Sequence, residues 1–186
     1  VKFPTTWFLP GMVLAMMVIV ASANYLVQFP INNWLTWGAL TYPVSYFITD
    51  LTNRKRGIRS ARRVVWVGFA LAVLASIVLA SPRIALASGL AFLSSQMLDI
   101  AVFDRLRRRG WWQPPLFSSA IGSALDTALF FALAFYATGV PWVTLALGDY
   151  AVKLAIALIM LLPWWWIARA GRVSEGTSSK SETSHG

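Results

Sequence analysis

Residues Val64 to Pro82 read VVWVGFALAVLASIVLASP, nineteen positions without a charge, bounded by Arg62 and Arg63 on one side and Arg83 on the other. A helix needs about 20 mostly apolar residues to cross the hydrocarbon of a bilayer. This stretch is therefore a transmembrane span, and its flanking arginines mark the two edges of the membrane. Five further segments meet the same test: Trp7 to Val27, Trp37 to Asn53, Ile84 to Asp104, Pro115 to Thr138 and Trp142 to Ile167. The first reads as a span rather than a secretory signal peptide, because its apolar run is long and ends in polar Asn24 and Gln28. The expected fold class is an all-α membrane protein of six transmembrane helices.

Whole-chain composition agrees. Of 186 residues, 58% are hydrophobic and only 12% charged, against roughly 25% charged in an average soluble domain. So few charges cannot cover the surface of a soluble protein of this size. The net charge of +9 does not mark a nucleic-acid binder, because the basic residues fall between the apolar runs. Counted by connection, fourteen of the sixteen Lys and Arg fall on one side of a six-span arrangement. They include Arg54 to Arg56, Arg59, Arg62, Arg63, Arg105 and Arg107 to Arg109. The opposite side has Arg83, and Lys153 lies within the last span. The positive-inside rule then places both termini in the cytoplasm. Trp residues near segment ends, such as Trp7, Trp37, Trp66, Trp112, Trp142 and Trp164, read as interfacial anchors. Residues 1–170 form the expected membrane domain, and 171–186 a polar, disordered tail.

Chemistry is limited by what the chain lacks. It has no cysteine and a single histidine, His185, in that tail, so thiolate and histidine metal sites and serine–histidine catalysis are excluded. No phosphate-binding G-x-x-x-x-G-K-[ST] loop occurs, so the chain does not power transport by its own ATP hydrolysis. No catalytic residue, cofactor or metal is expected, and the protein reads as a transporter rather than an enzyme.

Polar residues within the spans carry the remaining information. An ionised side chain at the bilayer centre costs about 2.5 to 3.5 kcal/mol on insertion scales, so it needs a partner, a cavity or a path. Asp50 and Asp104 lie near basic span ends and read as members of interfacial ion pairs. Asp99, Asp126, Asp149 and Lys153 lie deeper. Asp149 and Lys153, four apart, share a helical face and can pair. Gln96 shares a face with Asp99, and Asn24 with Gln28. Asp126 has no charged neighbour on its own helix, but matches Lys153 in depth, which allows a contact between helices. Pro43 is placed to kink the second span. Ser118, Ser119, Gly122 and Ser123 permit close helix approach beside Asp126. Polar contacts between spans can act simply as glue. Three carboxylates and a lysine exceed that need and favour a ligand-lined cavity.

Several of these residues also form an ordered pattern. Ser22-Ala-Asn24-Tyr25-Leu26-Val27-Gln28-Phe-Pro30 resembles the first-span motif of the queuosine precursor transporters, also called the vitamin uptake transporter family. Thr36-Trp37-Gly38, Thr49-Asp50-Leu51-Thr52 with the arginines that follow, Gln96-x-x-Asp99-x-x-Val102-Phe103, Ser123-x-x-Asp126-Thr127 and Asp149-Tyr150-x-x-Lys153 continue the resemblance in order. It runs from Ser22 to Lys153. It implies a bacterial inner-membrane importer of a deazaguanine precursor of queuosine, either 7-cyano-7-deazaguanine or its 7-aminomethyl analogue. It further implies a fold like that of the six-span substrate-binding subunits of energy-coupling-factor transporters, working without their ATPase module.

The residue chemistry is compatible with such a substrate. A deazaguanine presents an adjacent ring N–H and amine, which one carboxylate can accept together. Asp99 and Asp126 are the expected ligand carboxylates, with Asn24, Gln28 and Gln96 as amide partners and Trp37 among the aromatic faces. Asp149 with Lys153 is expected to line or gate the site. The expected partners are this small molecule and the lipid bilayer, and no nucleic acid; a homo-oligomer is compatible with the sequence, and an ATPase partner is not expected, though the sequence does not exclude one. Another small nucleobase or vitamin, or a non-transporting assembly protein, is the alternative reading, and the last predicts no ligand-sized cavity between spans.

Overall fold

The computed structural model describes residues 7–76 and 82–166. The expected polar tail lies outside them, as do Lys2, Ile167 and the end of the third apolar run. Seven helices are described: α1 (Phe8–Leu26), α2 (Trp37–Thr41), α3 (Val44–Arg56), α4 (Ile58–Ser76), α5 (Pro82–Leu106), α6 (Gln113–Phe135) and α7 (Trp142–Ile159). After a turn at Met160 the chain is helical again over residues 161–166. Between α1 and α2, strands β1 (Pro30–Asn32) and β2 (Leu35–Thr36) pair as a short antiparallel hairpin.

The breaks have local causes. Pro43 lacks the N–H that would continue α2 into α3, so the expected second span is split in two at Tyr42 and Pro43. Gly57, at φ +80°, supplies the left-handed residue that turns α3 sharply into α4. Arg54, Lys55 and Arg56 occupy the last turn of α3, where positive charge meets the negative end of the helix dipole. Pro114 and Pro115 sit in the first turn of α6, where a missing N–H breaks no helical bond.

Burial is inverted relative to a soluble protein. Leu14, Leu74, Leu86, Leu90, Leu147 and Leu162 point outward, while Ser45, Thr49, Asp50, Ser95, Gln96 and Asp99 are buried. An apolar outside and a polar inside is the arrangement a lipid solvent demands. Among the described residues, four helical segments are long and apolar enough to cross a membrane: Phe8–Leu26, Pro82–Leu106, Gln113–Phe135 and Trp142–Trp166. This is a multi-pass, all-α membrane protein. α3 is short and ends in three basic residues, and the first two turns of α4 carry Arg59, Arg62 and Arg63.

The most extensive pairing is α5 with α6, followed by α1 with α4 and α6 with α7. One apolar cluster, with Met16, Val20, Tyr46, Val65 and Phe92, joins α1, α3, α4 and α5. A second, with Ala87, Phe130, Phe131 and Leu145, joins α5, α6 and α7.

Candidate functional site

Lys153, on α7, is the centre of the buried polar network. Its ammonium lies 2.7 Å from Oδ2 of Asp126 on α6 and 2.6 Å from Oδ2 of Asp149 one turn earlier on α7. It also donates to Oγ1 of Thr127, at 3.1 Å. That hydroxyl in turn donates to Oδ2 of Asp149, at 2.8 Å. Oδ1 of Asp126 accepts from the Tyr42 hydroxyl at 2.7 Å and from Ser95 at 3.3 Å. The Lys153 ammonium further sits 4.9 Å from the Tyr42 ring centroid, a cation–π distance. Both carboxylates and the ammonium are at most 8% exposed. Two carboxylates against one ammonium give the cluster a formal charge of −1. The expected α7 pair is present, and so is the contact between helices that depth allowed for Asp126.

These groups line a partly open cavity of about 350 Å³, counting the space at its mouth. Asn24, Ser88, Gly38 and Phe130 complete much of its wall. Ser88 donates to Oδ1 of Asn24 at 2.5 Å, tying α5 to α1. A Cβ on Gly38 would stand 2.9 Å from Val27, so glycine is what lets α2 close against the end of α1. Both interactions of Asp149 fall on Oδ2; within the described residues Oδ1 accepts no hydrogen bond and is available to a ligand. A flat polar molecule placed here would meet carboxylate, ammonium and amide groups, with the Phe130 and Tyr42 rings in the same wall.

A second cavity, of about 300 Å³ counting the space at its mouth, also has Lys153 in its wall. Tyr46, Asp50, Ser119 and Ser123 line it, with Met160 and Trp164 toward the end of the bundle that carries Arg54. Lys153 is common to both cavities.

Not all of the predicted site residues converge. Asn24, Asp126, Asp149 and Lys153 share the first cavity. Gln28 is exposed, and its amide donates to the Asn24 and Tyr25 carbonyls at 3.4 Å. Trp37 is 51% exposed and outside the cavity wall. Gln96 is buried deeper, accepting from Thr49 at 2.7 Å and donating to Ser45 at 3.0 Å. Asp99 is fully buried beside Asp50 and borders neither cavity.

Asp50 corrects the sequence reading. It is not an interfacial ion-pair member but is 1% exposed, accepting from Ser118 at 3.2 Å and Ser119 at 3.5 Å. Arg54, Lys55 and Arg56 follow it in sequence, yet they occupy the last turn of α3 while Asp50 faces α6. Asp104 does form the expected surface pair, 3.0 Å from Arg107. Tyr42, Ser88 and Phe130 were not anticipated. Ser88 lies eight residues before Gln96, on the same helical face, which is the one signal that could have found it.

A family model described as "Putative vitamin uptake transporter" matches residues 36–81 and 73–168. Among curated proteins, the chain is 34% identical to the "Queuosine precursor transporter" of Escherichia coli (strain K12), covering 81% of each chain. It is 34% identical to the "Probable queuosine precursor transporter" of Haemophilus influenzae, over 78% of this chain and 79% of that one. The counterpart in Bacillus subtilis (strain 168) is 32% identical over 72% and 71% of the two chains. No solved structure matches the chain at a significant level. The ordered motifs from Ser22 to Lys153 point where this similarity does, and this chain belongs to the vitamin uptake transporter family, that of the queuosine precursor transporters.

Proposed function

We propose that this chain is a six-span importer of a queuosine precursor in the bacterial inner membrane, with both termini cytoplasmic. The substrate is 7-cyano-7-deazaguanine or its 7-aminomethyl analogue. The broken α2–α3 unit and α4 are the second and third spans, and residues 1–170 form one transport domain. The first cavity then opens toward the outside and the second toward the cytoplasm. The printed names of three relatives support the substrate class. The observation that carries the reading is the buried Asp126–Lys153–Asp149 cluster on the wall of a cavity that also holds an amide and two rings.

The chemistry runs as follows. The adjacent N–H groups of a deazaguanine are donors, and Oδ1 of Asp149 is an acceptor of this wall that accepts no hydrogen bond among the described residues. The carbonyl of the base requires a donor, which the Asn24 amide supplies. Tyr42 and Phe130 offer the ring contacts. Asp99 and Gln96 then serve the packed layer below rather than the ligand. A planar solute crosses when the helices rearrange around such a midplane site.

Uptake of labelled precursor by cells unable to synthesise it, with this chain as the only importer, tests the proposal. Accumulation that depends on the chain supports it, while accumulation of another nucleobase or vitamin instead moves the assignment to that solute. No uptake of any of these leaves the assembly-protein reading in its place.

A further inference from the structure

The residues that line the two cavities fall in register along α6 and α7. On α6, Pro115, Ser119 and Ser123 line the second cavity, and Asp126 and Phe130 the first. On α7 and its helical continuation, Trp164, Met160 and Ala157 line the second cavity, Asp149 the first, and Lys153 both. Taken in chain order, each set steps by four, four, three and four positions, which is one face of a helix. The two helices run antiparallel. Asp126 meets Lys153 and Thr127 meets Asp149, while Pro115 and Ser119 share a cavity with Met160 and Trp164. The cavities are therefore successive stations along one pair of facing stripes.

From Pro115 to Phe130 the α6 stripe extends for about 22 Å at 1.5 Å per residue, most of the roughly 30 Å thickness of bilayer hydrocarbon. A void left by imperfect packing has an apolar wall. The second cavity instead has Asp50, Ser119 and Ser123 in its wall, none more than 8% exposed. The outer face of α7, with Leu147, Leu158 and Leu162, is apolar. Along both stripes the change from one cavity to the other falls at a single contact, the 2.7 Å pair of Asp126 and Lys153.

The second cavity has the groups to hold a ligand of its own. α3 brings Tyr46, Phe47 and Asp50 to it. A Cβ on Gly122 would stand 3.0 Å from the Tyr46 ring, so glycine lets α3 close onto this face of α6. Asp50 accepts from Ser118 at 3.2 Å and from Ser119 at 3.5 Å, long for hydroxyl donors. A carboxylate has about four acceptor sites, so Asp50 keeps capacity for further N–H groups. The hydroxyls of Ser123 and Tyr46 can donate to a carbonyl. Phe47 and Trp164, edge to face at 6.1 Å, supply rings for a flat molecule.

We propose that the second cavity is a binding subsite for the same planar, N–H-donating heterocycle, and the release station of a route between α6 and α7 that Asp126 and Lys153 close in this structure. When that pair parts, the solute passes from Asp149 to Asp50, and the two carboxylates accept its N–H groups in succession. The ligand class rests on the proposed importer function; the route between the helices does not.

The chain contains no cysteine, so single cysteines in the full chain report on the route without background. Ser123→Cys and Ala157→Cys place a thiol on the second cavity, and Ala155→Cys places one on the exposed outer face of α7. A membrane-impermeant trimethylammonium methanethiosulfonate, applied to inside-out vesicles, should label the first two and spare the third. Saturating 7-cyano-7-deazaguanine should slow that labelling. Labelling of both cavity positions no faster than Ala155→Cys overturns the route. Labelling that the precursor does not slow, in vesicles that transport it, overturns the subsite. Either cavity cysteine suffices if the other variant does not fold. Ala157→Phe, which fills the cavity, should abolish uptake while the purified protein still binds the precursor with wild-type Kd; uptake at the wild-type rate overturns the subsite, and Ser123→Leu repeats the test if Ala157→Phe does not fold. If the wild type neither binds nor takes up the precursor, the importer reading fails, and the reach of the reagent alone decides the route.

Discussion

The ammonium of Lys153 and the carboxylate of Asp126 meet at 2.7 Å across the α6–α7 interface, both all but excluded from solvent. With Asp149 they make a three-member cluster, and no member is cheap to remove alone. Breaking one side of a buried pair typically costs about 3 to 5 kcal/mol, because the remaining charge is left without compensation. Lys153→Met should therefore lower the melting temperature more than any other single change in the cluster, since it strands two carboxylates. Lys153→Met combined with Asp149→Asn should be less destabilised than the sum of the two single variants. Strict additivity in that thermal-melting cycle would show that the pair has no energetic content.

Tyr42 tests the same network from the side of the helix break. Its hydroxyl donates to Asp126 at 2.7 Å. A hydrogen bond to a charged group contributes about 1.5 to 3 kcal/mol. Tyr42→Phe keeps the ring over Lys153 and removes that bond, so the melting temperature should fall while the protein stays folded. A melting temperature equal to wild type would mean that the hydroxyl is not holding Asp126.

The hairpin is held to α7 by a close backbone approach. Thr144 donates to the Asn33 carbonyl at 3.2 Å, and one turn later a Cβ on Gly148 would run into the backbone carbonyl of Trp34. Overpacking of this kind costs about 1 to 3 kcal/mol when the neighbour cannot yield. Gly148→Ala should detach the hairpin before it unfolds the bundle. Since the chain has no cysteine, Asn33→Cys labelling reports on this: it should accelerate in Gly148→Ala relative to the Gly148 background. Equal labelling rates would place the hairpin elsewhere.

Topology is open to direct test. Reporters fused after Arg56 and Arg108 should lie in the cytoplasm, and one at Gly139 outside. Arg56 and Arg108 on opposite sides would end the six-span account.

How much of this was readable in the sequence follows from the cost of charge in a membrane. Asp126, Asp149 and Lys153 stood out because each is too expensive to bury alone, and matched depth was enough to anticipate their meeting. Asp50 was misread for a physical reason. Three basic residues follow it within six positions, which suggests an ion pair, but its real partners, Ser118 and Ser119, are 68 and 69 residues away on a helix whose packing angle no local pattern encodes. Asp99 and Gln96 were correctly placed on one face. That face meets α3 rather than the cavity, and periodicity alone cannot tell the two apart. The hairpin was missed because two strands of three and two residues leave almost no alternation to read. Pro43 was read as a kink, and it divides the helix.

The most direct test of the account is the affinity of purified protein for the labelled precursor, measured by titration for wild type, Asp149→Asn and Asp104→Asn alongside melting temperature. Losing a charged acceptor for a ligand N–H should cost about 1.5 to 3 kcal/mol, roughly a ten- to hundred-fold weaker Kd. The account predicts that loss in folded Asp149→Asn, with Asp104→Asn binding as wild type does. Wild-type affinity in Asp149→Asn, or an equal loss in Asp104→Asn, would contradict it.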